Sequence, residues 1–199
     1  MLAIEKKHIP LLVCNSLVIV FFSLQFISDR NYEFLSYVVS VIAFAGIITY
    51  THQHVKYSMF LLSLLSFGIL IHLGWGGITI NGQALYNSMI FPISGTYSLI
   101  RYDQLAHAYG FFTATILSYE LIQYQFKNIT LNFWMLVIIA MAACGFWALN
   151  EIVEFIVDQS VPTSWVGWYI NTSVDLVVNL IGSILWVVFI KLFLEQKSA

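Results

Sequence analysis

Charge is scarce in this chain of 199 residues: 9% of it is Asp, Glu, Lys or Arg against 60% hydrophobic residues, and the formal net charge is -2. The basic residues are scattered singly rather than gathered in runs, so there is no basic surface of the kind that binds nucleic acid. Cysteine is nearly absent. Cys14 and Cys144 each sit deep in an apolar run, which excludes a disulfide framework and a thiolate metal site and reads as two small core residues. No Gly/Ser tract, low-complexity linker or strong internal repeat divides the chain, so a single transmembrane helical domain over residues 1–199 is expected.

What is present is apolar length. The mean hydropathy is +0.84, and six stretches, roughly residues 10–27, 34–50, 57–73, 99–121, 131–155 and 172–194, approach the ~20 residues a spanning helix needs. The composition predicts an all-α polytopic membrane protein of six transmembrane helices in one bundle. The breaks SDRNYE, THQHVK, GWGGITINGQALYNSMIFPISGTY, QYQFKN and DQSVPTSWVGWY read as turns and loops. The first stretch lacks a small-x-small cleavage site and reads as a membrane anchor. Lys6, Lys7, Lys56, Lys127, Lys191 and Lys197 favour cytoplasmic termini, leaving Arg30 and Arg101 outside with the loops that hold Gly82 and Pro162. His8 is assigned to the N-terminal tail, and His52 and His54 to a solvated cytoplasmic loop. Trp75, Trp165, Trp168, Tyr97 and Tyr102 read as an aromatic belt.

Charges inside the membrane are costly, by ~2.5 to 3.5 kcal/mol each on insertion scales, so those that remain ask for a function. The opening of the fourth stretch, RYDQLAHAYGFF, places Asp103 and His107 four residues apart on one helix face. With this topology His72, Asp103, His107, Glu151, Glu154, Asp175 and Asn179 all fall near the outer ends of four different helices. Imidazole and carboxylate are ligands for a divalent metal such as zinc, and helical bundles build metal sites from such i,i+3 and i,i+4 pairs. The expected ligands are His72, Asp103, His107 and Asp175. Glu151 or Glu154 would be the general base, and Asn179 would orient a ligand or bond an oxyanion. The competing assignments are an Asp103–His107 hydrogen-bonded pair, interfacial glutamates, Asp175 as a helix cap and His72 bonded to loop backbone.

The segments RYDQLAHAYGFF, ALNEIVEF and SVDLVVNLIGSIL, with IHLGWGG upstream, resemble the YjdF-like family of prokaryotic inner-membrane proteins and, more distantly, VanZ-like proteins. The resemblance covers roughly residues 70–185 and implies that Asp103, His107, Glu151, Asp175, Asn179 and Gly182 belong to the family pattern. Leu149-Asn150 stand where the pattern has an aromatic residue before the glutamate, and the VanZ-like glutamine has no equivalent. The resemblance implies a fold and a site in a prokaryotic plasma (inner) membrane rather than a reaction. The residues themselves suggest a metal-dependent hydrolase acting on a lipid or lipid-linked envelope substrate at the extracytoplasmic leaflet. The alternatives are a transporter or ion- or proton-coupled accessory protein, a di-metal oxidase, and a structural membrane partner.

Overall fold

The computed structural model describes residues 5–91, 100–126, 129–161 and 169–194. Six long helices carry them: α1 (Ile9–Ser28), α2 (Tyr32–Val55), α3 (Met59–Gly77), α4 (Tyr102–Gln125), α5 (Phe133–Ser160) and α6 (Tyr169–Phe189), the last continuing as a π-helical turn over Ile190–Leu194. Pro162, Tyr97, Trp165 and Trp168 lie outside the described residues, as do the side chains of Arg101 and Asn171.

Caps and turns written in the sequence set the helix ends. Asn31 and Ser58 precede α2 and α3, and their side chains accept the backbone N–H groups of Phe34 and Leu61, each at 3.1 Å. Asn132 does the same for Met135 at the start of α5, at 3.0 Å. The THQHVK segment, expected as a loop, is the last turn of α2. His and Gln are tolerated in a helix, and the chain turns at Lys56, which takes the left-handed conformation with φ 59°. The GWGG segment is likewise the end of α3 rather than a turn. Its glycines are needed there for space, since a Cβ at Gly76 would strike the Phe34 ring and one at Gly77 the Phe22 ring.

The long third loop contains the non-helical structure. Strands β1 (Thr79–Ile80) and β2 (Gln83–Ala84) pair antiparallel around Asn81-Gly82, whose φ values of 52° and 78° are those of a two-residue turn with both central residues left-handed. Strands β3 (Met89–Phe91) and β4 (Ile100–Arg101) form a second antiparallel pair that leads into α4.

Five of the six helices, α4 being the exception, are long and apolar enough to cross a membrane. Large apolar side chains such as Leu17, Phe21, Ile47, Trp134 and Leu185 stand exposed along them, as an outer surface in contact with lipid requires. α4 is long enough but more polar, and it is buried instead: Phe111, Thr113, Ala114, Thr115, Ile116, Leu117, Ser118 and Tyr119 are all inside. The hydroxyls of Thr113, Thr115 and Ser118 donate to the carbonyl four residues back, so their polarity is satisfied within the helix.

The chain forms two compact units. One comprises Met1–Ala106 with Val153–Val166, the other His107–Ile152 with Gly167–Ala199, so the divisions fall inside α4 and α5. The first has an aromatic core of Phe22, Phe26, Phe34 and Tyr37 with Val38, Leu73, Val157 and Val161. Within it α1 and α3 are tied by Asn15 donating to Ser66 (3.0 Å) and Gln25 donating to the Gly77 carbonyl (2.5 Å). The second is held by Tyr119, Leu131, Ile139, Ala140, Val187 and Ile190. At that end Lys191 donates to the Leu131 carbonyl at 2.8 Å.

Three smaller expectations are corrected. His8 is buried, not a residue of a solvated tail: its Nδ1 accepts the Glu5 backbone N–H at 3.1 Å and its ring meets His52 edge-on, centroids 4.9 Å apart. His52 is accordingly half-buried rather than solvated. Cys14 is exposed on α1, not in a core, whereas Cys144 is half-buried and donates to Ser183 at 3.7 Å. Glu5 itself remains outside, where the Lys7 ammonium 2.9 Å away holds its carboxyl below the usual range.

Candidate buried polar site

In the second unit α6 carries a buried polar stripe: Asp175 (0% exposed), Asn179 (2%) and Ser183 (0%) recur every four residues and so share one face. The neighbouring positions Leu176, Val177, Leu180 and Ile181 are exposed and apolar, which gives the helix one face for lipid and another for the interior. Asp175 is not the cap of this helix, because it lies six residues, or ~9 Å, beyond Tyr169.

His107, on α4, is 3% exposed and is oriented by Trp147 of α5, whose indole Nε1–H donates to its Nδ1 at 2.6 Å. The two rings meet nearly edge-on, centroids 5.0 Å apart. The indole nitrogen is only ever a donor, so Nδ1 must present its lone pair, and the neutral imidazole carries its proton on Nε2. Nε2 faces Asp175 Oδ2 at 3.8 Å. Gly110, one turn along α4, makes the arrangement possible, since a Cβ there would overlap the Trp147 ring. Phe111 also packs on that indole, centroids 5.2 Å apart, and lies against Gly182. Neither Trp147 nor Gly110 was among the residues singled out from sequence; their signal was the spacing, Trp147 four before Glu151 and Gly110 three after His107.

Glu151 joins this group, offering a carboxylate oxygen within 4.8 Å of a His107 ring nitrogen. Asn179 differs from its neighbours: both its Oδ1 and its Nδ2 are buried without a hydrogen-bond partner among the described residues. Buried carboxamides are nearly always paired, so an unpaired one marks a place where a ligand or water completes the set.

Asp103 and Glu154 belong to the first unit. Asp103 is one turn before His107 on the same continuous helix, and Glu154 three residues after Glu151. Within their own unit both act electrostatically on the Tyr37 hydroxyl, together with Glu33 and Tyr86. His72 is also there, its ring edge-on to Tyr37 with centroids 5.3 Å apart. By unit, His107, Glu151, Asp175 and Asn179 belong to the second and His72, Asp103 and Glu154 to the first, although Asp103 shares a continuous helix with His107 and Glu154 shares one with Glu151. The buried Glu33 and Tyr37 of the first unit went unnoticed in the sequence, Glu33 because it falls in the segment SDRNYE read as loop and Tyr37 because it reads as one more apolar residue of the second stretch.

Membrane-length helices with exposed apolar faces and a buried set of imidazole, carboxylate and carboxamide groups define a multi-pass helical membrane protein with a polar interior. Residues 9–196 match the model of the family described as "Predicted membrane protein (DUF2238)", and the chain belongs to that family, which includes the YjdF-like proteins. No curated protein and no solved structure matches the chain.

Proposed function

We propose that this protein is a membrane-embedded acid–base enzyme acting on a lipid or lipid-linked substrate at the extracytoplasmic leaflet, with all six helices crossing the bilayer and both termini cytoplasmic. The observation that carries the proposal is the Trp147 hydrogen bond to His107. It holds His107 as a neutral Nε2–H donor, because an imidazolium would set two N–H groups against each other. A neutral imidazole of this kind polarises a carbonyl or phosphoryl oxygen and stabilises the charge that develops on it. Asp175 or Glu151 takes the proton of the attacking O–H. The oxygen bonds to the acyl or phosphoryl centre, the bond from that centre to the leaving-group oxygen breaks, and the proton passes to that oxygen.

The same contact weighs against His107 as a metal ligand. A metal on Nε2 would require loss of its proton while Nδ1 still accepts from Trp147, leaving an imidazolate. A divalent ion, zinc included, would then be held by carboxylates such as Asp175 and Glu151, with His107 beside it as a donor, and the four-ligand set of His72, Asp103, His107 and Asp175 is not the arrangement favoured. A di-metal oxidase loses support for the same reason. Conduction is the weaker alternative because the stripe Asp175–Asn179–Ser183 runs toward Val187 and Ile190, within the apolar layer that also contains Tyr119, Leu131 and Ile139. A purely structural role fits poorly with an unpaired buried carboxamide, which destabilises the fold that contains it.

The test is lipid analysis of proteoliposomes made from total membrane lipid, comparing the wild type with Asp175→Asn. A lipid converted only by the wild type supports the enzyme; identical lipid profiles over a long incubation refute it. Nitrogen-15 spectra of histidine-labelled protein check the tautomer, and a His107 signal that changes on chelator treatment together with stoichiometric metal returns the metal reading.

A further inference from the structure

A carboxamide left unpaired on both atoms restricts the chemistry of its partner, and a neutral O–H, of water or of a ligand, is what fits. Asn179 Oδ1 needs a donor and Nδ2 needs an acceptor. An anion such as phosphate answers only the amide N–H, and an ammonium or metal cation only the oxygen. A neutral hydroxyl answers both, donating its hydrogen to Oδ1 and accepting at its oxygen from Nδ2.

The second observation is apolar and independent. A groove of about 480 Å³ runs between α4 and α6, lined by Ala108, Tyr109, Phe112, Gly182, Trp186 and Phe189. Its volume lies in the range of ligand clefts, ~300 to 1,000 Å³. Leu185 on its wall is 64% exposed, so the groove opens outward, and its position on a helix long and apolar enough to span the bilayer makes that outside lipid. It begins where the polar site ends: Ala108 follows His107, and Gly182 is one turn beyond Asn179 on α6. From Gly182 to Phe189 it follows α6 for ~10 Å away from Asn179, from the middle of the apolar span Thr172–Leu192 toward its C-terminal end.

We propose that the ligand of this site is a lipid with a free hydroxyl on its polar end, the hydroxyl held by the Asn179 carboxamide and one acyl chain lying in the α4–α6 groove. This names the substrate class for the acid–base site proposed above and rests on that reading for its chemistry, but binding is measurable without turnover. Delipidated wild-type protein is offered an equimolar mixture of phosphatidylglycerol, which has head-group hydroxyls, and phosphatidylcholine, which has none, and retained lipid is counted by native mass spectrometry.

The wild type is expected to prefer phosphatidylglycerol by about tenfold, the factor that one well-formed hydrogen-bonding partner is worth. Asn179→Leu should bring the preference close to one while lipid is still retained. Ala108→Trp should lower retention of both lipids by about tenfold through loss of apolar contact. Leu185→Trp, which starts from an exposed position and spares the interior packing, should do the same if Ala108→Trp does not fold. No preference in the wild type, an unchanged preference in Asn179→Leu, or full retention in the folded groove variant each overturns the proposal. Turnover without head-group preference would refute this inference and leave the enzyme standing, whereas preference without turnover would do the reverse.

Discussion

Replacing Asn179 by leucine, which has nearly the same shape, should make the ligand-free protein more stable. The side chain is 2% exposed, and neither of its polar atoms has a hydrogen-bond partner. Each buried unsatisfied group costs ~1 to 3 kcal/mol, and the smaller worth of hydrogen bonds measured inside membrane proteins argues for the low end of that range. The combined relief is ~2 kcal/mol, or ~4 to 8 °C in melting temperature for a chain of this size. The assay is thermal unfolding of delipidated protein in detergent, followed through tryptophan fluorescence, with Asn179→Asp as the control. The aspartate keeps the shape but introduces a group whose charge cannot be hydrated there, so it should destabilise. A melting temperature lowered by Asn179→Leu would refute the reasoning, since it would mean that the carboxamide is paired within the fold and contributes to its stability. If instead the variant is more stable and has lost its lipid preference, the site sacrifices stability for recognition.

Three other substitutions probe the scaffold. Trp147→Phe keeps the ring against His107 and Phe111 but removes the N–H, so His107 should lose its fixed tautomer and show both nitrogen-15 patterns, at a stability cost of ~1 to 2 kcal/mol. Gly110→Ala pushes the indole away from the same nitrogen and should reproduce that spectral change with a larger loss, ~1 to 3 kcal/mol, from overpacking; an unaltered His107 spectrum would show that the contact does not set the tautomer. Gly76→Ala places a methyl against the Phe34 ring at the α2–α3 contact and should lower the melting temperature by several degrees without touching the His107 spectrum, which makes it the control for general destabilisation.

The sequence spans overlap all six observed helices, and five of these were legible because a membrane imposes one requirement, apolar length, which α4 meets less fully. Their ends were less legible. THQHVK and GWGG read as breaks on residue type alone, yet the deciding facts are a left-handed Lys56 and two aromatic rings that fill the space a Cβ would take. The polar site was legible as an inventory, since carboxylates and histidines in apolar helices are conspicuous. Which aromatic ring each histidine meets was not. His72 and His107 looked equivalent by depth, but His72 packs on Tyr37 and His107 on Trp147, and nothing in a one-dimensional pattern distinguishes those neighbours. The residue most informative about chemistry, Trp147, is hidden from such a reading, because tryptophan in an apolar helix is simply one more apolar residue until its N–H is seen to point at a ring nitrogen.

The polarity of α4 bears on how the chain is made. On the biological insertion scale a charged residue costs ~2.5 to 3.5 kcal/mol at a helix centre and less toward its ends. α4 enters the membrane machinery with Asp103, His107 and Glu120 toward its ends and the polar Thr113, Thr115 and Ser118 between them, before α5 and α6 have been synthesised. Its buried face belongs against helices that do not yet exist. The ribosome therefore delivers this buried helix ahead of its shelter, and α4 should wait at the insertion channel or the membrane surface until the last two helices arrive. Truncation after Gln125 should leave it unintegrated, whereas truncation between Gly77 and Tyr102 should leave α1 to α3 inserted as they are in the full chain.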